Sequence, residues 1–232
     1  MSRVSNKRRP SEFGRSMAPP GLIGRCLLTQ NCKPPRIASM SLQMNTTTAG
    51  LRFIFEREVG PFRNITARLH WPGGASGVTL GPGYDMKERS TTSVSTDLQA
   101  IGIAQKLADD ASQGAGLTDQ SAKDFARDNA QLLTLTDEQQ TALLRHIIGK
   151  YEAIVNRNVH IALSPYEFDA LVSFVYNPGG SFLPVAEMVN VDDMETAAEI
   201  IRTRVTSKGK VMQGLVRRRE HEIRLLLNGS YW

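Results

Sequence analysis

Residues Leu51 to Met86, LRFIFEREVGPFRNITARLHWPGGASGVTLGPGYDM, form the stretch around which the rest of the chain is organised. The apolar residues of its first turns recur at helical spacing: Leu51, Ile54 and Phe55. Glu58 is the next position on that face, which places a carboxyl group at the inner end of an apolar stripe. An apolar surface raises the pKa of a carboxyl group, as a general acid near neutral pH requires. Glu58 is therefore the candidate acid, and Glu56 falls on the other side of the helix.

A glycine-punctuated segment follows this helix. Trp71 to Gly74 predicts a turn, Gly77 to Leu80 a short strand, and Gly81 to Gly83 a second turn. Thr79 and Asp85 lie on either side of that second turn. Glycine at this density indicates backbone brought close to a neighbouring strand or to a substrate. The residues alone leave two interpretations equally open: a catalytic hairpin, or a hairpin that only packs on the helix.

Composition and charge limit the function classes. The chain has 232 residues and a net charge of +5. Residues 1–49 hold eight Lys or Arg against the single acid Glu12, so the rest of the chain is slightly acidic. A nucleic-acid-binding domain would carry its own basic face, and we therefore expect no nucleic-acid partner. No apolar run reaches the roughly 20 residues of a membrane span, and no signal-peptide pattern appears in order.

The basic N-terminal segment, residues 1–49, shows no sustained hydrophobic period and is predicted to be a disordered tail, followed by one domain at 50–232. The tail is a targeting or tethering segment, or a solvated linker, or the result of a misassigned start codon, in which case Met40 or Met44 is the true first residue. Both cysteines, Cys26 and Cys32, lie in it, at a spacing that is poor for a metal site.

The remainder of the chain is predicted to be helical. Apolar residues at helical spacing indicate helices from Ser95 to about Ala108, 119–133, 137–155, 165–176, 188–204 and 214–228. Thr136 and Gln139 form a capping box, and Ser164-Pro165-Tyr166-Glu167 is a strong helix start. In the last helix Arg218, Arg219 and Glu222 can pair across one turn, which favours an internal ion-pair brace over a substrate-binding role.

Metal-dependent and covalent nucleophilic chemistries find no support in the sequence. None of the four histidines has a partner at metal-ligand spacing, so zinc-dependent chemistry is disfavoured. No Gly-x-Ser-x-Gly motif or Cys and His nucleophile pair occurs in the body of the chain. We expect neither a metal nor another cofactor.

Two blocks of sequence resemble the phage-type lysozymes, the endolysin family that cleaves peptidoglycan. The first is the Glu-ended helix, the Gly-Gly turn and the Thr79 to Tyr84 segment, which resembles a Thr-Ile-Gly-Tyr-Gly-His motif. The second is Leu163 to Gly179, LSPYEFDALVSFVYNPG, which resembles the central buried helix of the endolysins. The closing Gly-Leu-Val-x-Arg-Arg-x-x-Glu also fits, so the resemblance spans about residues 51–229.

The chain departs from the common endolysin pattern because no Asp, Glu or Cys lies between Glu58 and Thr79. Asp85 is the nearest replacement. The order Glu, Thr, Asp and the run from Ser76 to Asp85 resemble the pesticin-like branch of the family. The spacing in that branch leaves Glu56 as a rival to Glu58.

The resemblance implies a mainly helical α+β fold of lysozyme type, with a small β-hairpin lobe facing a helical lobe across a glycan groove. It implies a glycoside hydrolase, a muramidase, in which Glu58 protonates the leaving oxygen while Asp85 and Thr79 hold the attacking water. Trp71 either stacks on a sugar ring or plugs the space between the lobes. Asn177 either faces the sugar or caps its helix.

Two rival functions stay open: a lytic transglycosylase, which needs only the acid, and a catalytically silent wall-binding module. The implied partner is the peptidoglycan glycan strand, and we expect a monomer. A protein made in the cytoplasm without a classical signal peptide would need a holin, a secretion machine or receptor uptake to reach the cell wall, which could be the wall of a target cell. An immunity partner would fit the effector route.

Overall fold

The structure is a computed structural model that describes residues 43–177, 180–207 and 209–232, all of which lie in one compact unit. The predicted disordered tail, apart from residues 43–49, lies outside the described residues, as do both cysteines. No helix within the described ranges has the length and apolar content that a membrane span needs.

The described chain is mainly helical, with two short antiparallel hairpins. In chain order the elements are α1 (Thr48–Val59), a 3-10 turn (Gly60–Phe62), α2 (Arg63–Thr66), β1 (Thr79–Leu80), β2 (Tyr84–Asp85), α3 (Thr91–Ala100), α4 (Gln105–Ser112), α5 (Asp119–Asp128), α6 (Asp137–Asn158), α7 (Pro165–Tyr176), α8 (Leu183–Asn190), α9 (Met194–Thr203), β3 (Thr206–Ser207), β4 (Lys210–Val211) and α10 (Gln213–Asn228). The predicted α+β class is confirmed.

Two helices that were predicted to be continuous are each interrupted, so these two predictions are wrong. The helix expected from Ser95 to about Ala108 is two helices, α3 and α4, and Gly102 between them has φ +87°. The helix expected over 188–204 is also two, α8 and α9, because Asp192 adopts φ +59°. Asp193 then begins α9 by accepting a hydrogen bond from the Thr196 N–H at 2.9 Å. A positive φ interrupts the helical backbone without interrupting the apolar period, so spacing alone missed both breaks.

The predicted helix ends at the centre of the fold are confirmed. Thr136 and Gln139 exchange both hydrogen bonds of a capping box at the start of α6. Pro165 opens α7, and the Glu167 carboxylate accepts from the Ser164 N–H at 2.7 Å. These local contacts fix the two helices on which most of the core is built.

Two hydrophobic cores flank α6. Leu143 lies in the core of the small lobe, with the hairpin β1–β2 and helices α3 and α4. Its neighbour Leu144 lies in the larger core, which surrounds α7. Because successive helical residues point in different directions, one helix supplies side chains to both cores. Because the larger core surrounds α7, this helix is buried on nearly every side.

The residues just before α1 are hydrogen-bonded along α6. The Met44 amide donates to the Asn156 side chain at 3.0 Å, and that side chain donates back to the Met44 carbonyl at 2.9 Å. The Thr46 amide donates to Glu152 at 2.7 Å, and Arg145 donates to the Thr46 carbonyl at 2.8 Å. Structured chain therefore extends ahead of residue 50, the predicted start of the domain.

Gly50→Ala is expected to destabilise the fold by about 1–3 kcal/mol, because a β-carbon there would overlap the buried Asp169 carboxylate. That carboxylate also accepts hydrogen bonds from Thr47 and Tyr231, which limits its freedom to move. Gly149→Ala is the matched control: nothing lies within 4 Å of its β-carbon, and helix propensity predicts a gain of about 0.5–1 kcal/mol. Urea unfolding of both variants measures the difference, and equal effects would contradict the steric argument.

Candidate active site

The first hairpin places two of the predicted residues directly opposite each other. Strands β1 and β2 are antiparallel, with Thr79 paired to Asp85 and Leu80 paired to Tyr84. The turn between them has Gly81 at φ +59° and Gly83 at φ +106°, a backbone that favours glycine. The predicted hairpin is confirmed, and its register brings Thr79 and Asp85 together on one face.

The Asp85 carboxylate is held by backbone donors. Its oxygens accept from the Gly77 N–H, at 3.2 Å to each, and from the Lys87 N–H at 2.8 Å. The buried Thr79 hydroxyl donates to the Gly77 carbonyl at 3.2 Å. A β-carbon at position 77 would lie 2.8 Å from an Asp85 oxygen, so glycine is needed there. The Thr79 oxygen keeps acceptor capacity for a further donor, such as water.

Glu58 lies in the last turn of α1 and forms an ion pair with Arg218 of α10. The Glu58 side chain is 23% exposed, whereas that of Arg218 is 5% exposed. Glu58 is therefore partly accessible and is held by a buried cation. This environment differs from the apolar surface that the sequence predicted, because the partner comes from a helix 160 residues away.

Arg218 belongs to a buried network. Its Nε donates to Glu222 at 2.9 Å and its Nη2 donates to the Ser173 carbonyl at 3.2 Å. Burial alone would lower the pKa of Arg218, but the carboxylates of Glu222 and Glu58 outweigh it and the net pKa is raised. Glu222 also pairs with the buried Arg219. The geometry of the predicted brace is present, and it extends to Glu58.

Glu56 lies elsewhere on α1. It forms an ion pair with Arg63, whose guanidinium also contacts Asp137 at the start of α6. Glu56 and Asp137 line a cavity of about 440 Å³ between α1 and α6 that does not include Glu58. The two candidate acids therefore face different surroundings, and only Glu58 is tied to the buried network.

Two cavities are lined by three of the predicted site residues, Glu58, Asn177 and Asp85. The first, of about 480 Å³, is lined by Glu58, Asn177, and residues of β3 and the start of α10. We call it the Glu58 cavity. The second, of about 560 Å³, is the Asp85 pocket, and it is lined by Ala75, Ser76, Asp85, Lys87, Glu88, Arg89 and Lys150. Glu58 and Asn177 thus share one cavity, and Asp85 lines the other.

Tyr176, the last residue of α7, links the hairpin to the neighbourhood of Glu58. Its hydroxyl donates to the Pro82 carbonyl in the hairpin turn. Burial, and next the negative charge of Glu58, raise the pKa of the Tyr176 hydroxyl, so it stays protonated and keeps donating. A β-carbon at Gly83 would lie 3.0 Å from that hydroxyl. No local pattern around Tyr176 in the sequence indicated a role in the site.

The two predicted substrate-binding residues also make structural contacts. The half-buried Trp71 packs against the small-lobe core, and its indole N–H donates to the Ser76 carbonyl at 3.0 Å. The Asn177 carbonyl accepts from Arg219, and its N–H donates to the Phe174 carbonyl at 3.2 Å. The Trp71 contact orients its side chain, whereas the Asn177 contacts fix only its backbone. A substrate role for either side chain stays a prediction.

Comparisons with known proteins show which proteins this chain resembles in sequence and in fold. A family model described as a domain of unknown function (DUF8812) matches residues 56–167. Over 99 residues the chain is 34% identical to the endolysin of Bacillus phage B103. The matched region covers 41% of this chain and 38% of that endolysin. The chain thus spans about two fifths of the length of this relative and of a second phage endolysin that it matches.

Two solved structures share the fold. The endolysin of Escherichia coli O157:H7 phage FAHEc1 aligns with a TM-score of 0.51 and 22% identity, covering 82% of this chain and 97% of that one. A mutant of P22 lysozyme aligns with a TM-score of 0.51 and 19% identity, covering 80% and 99%. The chain has a lysozyme-like fold and is related in sequence to phage endolysins, as predicted. Its likeness to the pesticin-like branch stays a prediction.

Proposed function

We propose that the protein is a peptidoglycan hydrolase, a muramidase that cleaves the β-1,4 bond between N-acetylmuramic acid and N-acetylglucosamine. The observation that carries the proposal is Glu58, a partly exposed carboxyl group held in an open cavity by the buried Arg218. The hairpin that joins this region through Tyr176 presents Thr79 and Asp85 side by side. Relatives described as endolysins support the same class.

In the proposed reaction Glu58 protonates the glycosidic oxygen as the bond to the leaving sugar breaks. The negative charge that remains on Glu58 lies against the Arg218 guanidinium, which stabilises it. Asp85 orients and deprotonates a water, and the Thr79 hydroxyl accepts a hydrogen bond from the same water. Backbone donors fix the Asp85 carboxylate before substrate arrives, so little reorganisation is needed.

Digestion of purified sacculi, with mass spectrometry of the released muropeptides, tests the proposal. Hydrolysis gives reducing N-acetylmuramic acid ends. A lytic transglycosylase would give 1,6-anhydro ends instead. A silent wall-binding module would co-sediment with sacculi and release nothing, and that result would overturn the proposal. Action at the cell wall follows from this choice of substrate.

Asp85→Asn is expected to lower the rate of muropeptide release by roughly 100-fold or more, because the amide cannot deprotonate water. Glu88→Gln is the matched control, since Glu88 is an exposed carboxyl group in the same pocket. Melting temperatures of both variants check that the Gly77 contacts survive. Retained activity of Asp85→Asn with anhydro ends would favour the transglycosylase, for which Asp85 only holds the hairpin.

A further inference from the structure

We propose that Tyr176 is a positioning residue, which fixes the turn of the first hairpin to α7 and so sets the spacing between the two halves of the site. These halves are the acid Glu58 and the water-holding pair, Thr79 and Asp85. The inference rests on the proposed muramidase function and deepens it, because it names the side chain that joins the halves. Three features support it: the contact with the turn, a second attachment on the same turn of α7, and the packing of the tyrosine ring.

The contact with the turn joins α7 to both water-holding residues. The Tyr176 hydroxyl donates to the carbonyl of Pro82, the middle residue of the turn. Strands β1 and β2 lead from this turn to Thr79 and Asp85, which are paired across the hairpin. The backbone donors that hold the Asp85 carboxylate come from the hairpin and the residues just after it, so they move with it. A displacement of the turn would therefore displace both side chains relative to α7.

The same turn of α7 also holds the acid. The Ser173 carbonyl accepts from Arg218 at 3.2 Å, and Arg218 forms the ion pair with Glu58. Ser173 precedes Tyr176 by three residues, so the two positions are neighbours on one side of the helix. Burial, and next the negative charge of Glu58, raise the pKa of the Tyr176 hydroxyl, which agrees with this closeness. The acid and the hairpin are thus attached to adjacent points of a single helical turn.

The Tyr176 ring is held in place by packing. It lies against the larger core, and its centre is 4.7 Å from that of the Tyr151 ring of α6. At the turn, a β-carbon at Gly83 would lie 3.0 Å from the Tyr176 hydroxyl, so the backbone approaches that hydroxyl closely. A side chain that is packed on a helix places its partner more precisely than one on a loop. The contact is therefore suited to fixing a distance.

The proposed chemistry depends on that distance. The attacking water has to fit between the sugar carbon and the base, and the separation of the two carboxyl groups decides the course of glycoside hydrolysis. A displacement of about 1 Å can lower the rate by about 100-fold. Without the tyrosine hydroxyl the hairpin would still be attached to α2, because the Gly81 N–H donates to the Thr66 carbonyl at 2.7 Å. The expected effect is thus on turnover more than on folding.

Amide hydrogen exchange, followed by NMR, tests the anchor without turnover. Tyr176→Phe removes the hydroxyl and keeps the ring. Tyr151→Phe is the matched control, because the Tyr151 hydroxyl makes no hydrogen bond with the part of the chain that the structure describes. In Tyr176→Phe the amides of Gly83 and Asp85, which donate within the turn, are expected to exchange roughly two- to tenfold faster, the usual effect of one hydrogen bond. Tyr151→Phe should leave both unchanged.

Turnover of soluble peptidoglycan fragments gives the second measurement. For Tyr176→Phe, kcat normalised to the folded fraction is expected to fall roughly tenfold, while KM stays within roughly twofold, because no proposed substrate contact is removed. In an Asp85→Asn background the same substitution should have little further effect, since the hydroxyl acts through the hairpin. A contact that only stabilised the fold would lower the melting temperature and leave this normalised kcat unchanged.

The outcomes separate this inference from the proposed function. Unchanged exchange at the turn, or a kcat equal to that of the wild type, would overturn the positioning role and leave hydrolysis intact. An equal tenfold fall in the Asp85→Asn background would also overturn it, because the hydroxyl would then act elsewhere. A wild-type protein that released no muropeptides, with the exchange difference still present, would overturn the muramidase and leave the anchor of the turn in place.

Discussion

Glu58→Gln is expected to reduce muropeptide release from purified sacculi by roughly 100- to 10,000-fold, the usual contribution of a general acid. Glutamine keeps the size of the side chain and an oxygen for Arg218 to donate to, but it has no proton to give to the glycosidic oxygen. The ion pair with Arg218 is lost as well. Some loss of stability is therefore expected, because Arg218 is a buried cation. Initial rates, normalised to the folded fraction at a temperature well below melting, measure the catalytic effect.

Glu56→Gln is the matched control, because it makes the same chemical change two residues away on the same helix. Glu56 pairs with Arg63 and lines a different cavity, so its variant should keep most of the activity. The opposite pattern, with an inactive Glu56→Gln and an active Glu58→Gln, would assign the acid to Glu56. It would also show that the pesticin-like spacing, rather than the Arg218 contact, identifies the catalytic group.

Features that depend on neighbouring residues could be predicted from the sequence. The hairpin follows from glycines that permit its turn, and the start of α7 follows from Pro165 and Glu167. The register of the hairpin then places Thr79 opposite Asp85 without any long-range contact. The resemblance to phage-type lysozymes added what local patterns cannot supply: which of these residues do chemistry.

Features that depend on tertiary packing could not be predicted from the sequence. The apolar stripe of α1 predicted an apolar neighbour for Glu58, but its neighbour in the structure is Arg218 of α10. Helical spacing within α10 showed that Arg218 and Glu222 can pair, but it could not show that the same guanidinium reaches α1. Likewise, no pattern in the sequence of α6 indicated that Lys150 lines the Asp85 pocket. An ionic partner across the fold leaves no periodic signal in either segment.

Glu222→Gln is expected to lower the free energy of unfolding by about 3–5 kcal/mol, because it removes the carboxylate shared by two buried guanidinium groups. Glu222 is fully buried and also accepts from the Ser173 hydroxyl at 2.8 Å. After the substitution Arg219, which is itself fully buried, loses its carboxylate partner, and Arg218 keeps only Glu58. An unpaired charge in the core costs far more than the pair contributes. Urea unfolding monitored by circular dichroism gives the difference.

Glu220→Gln makes the same change two residues earlier on α10, where the side chain is half exposed and lies 3.5 Å from Arg202. It should leave the unfolding free energy unchanged within error, since an exposed pair is screened by solvent. If Glu222→Gln proved equally neutral, the network would not support the fold and Arg218 would be free to move with Glu58. In the expected case the network is a rigid base: it fixes Arg218, Arg218 fixes the Glu58 carboxyl group, and the proposed proton donor is held in position before the substrate binds.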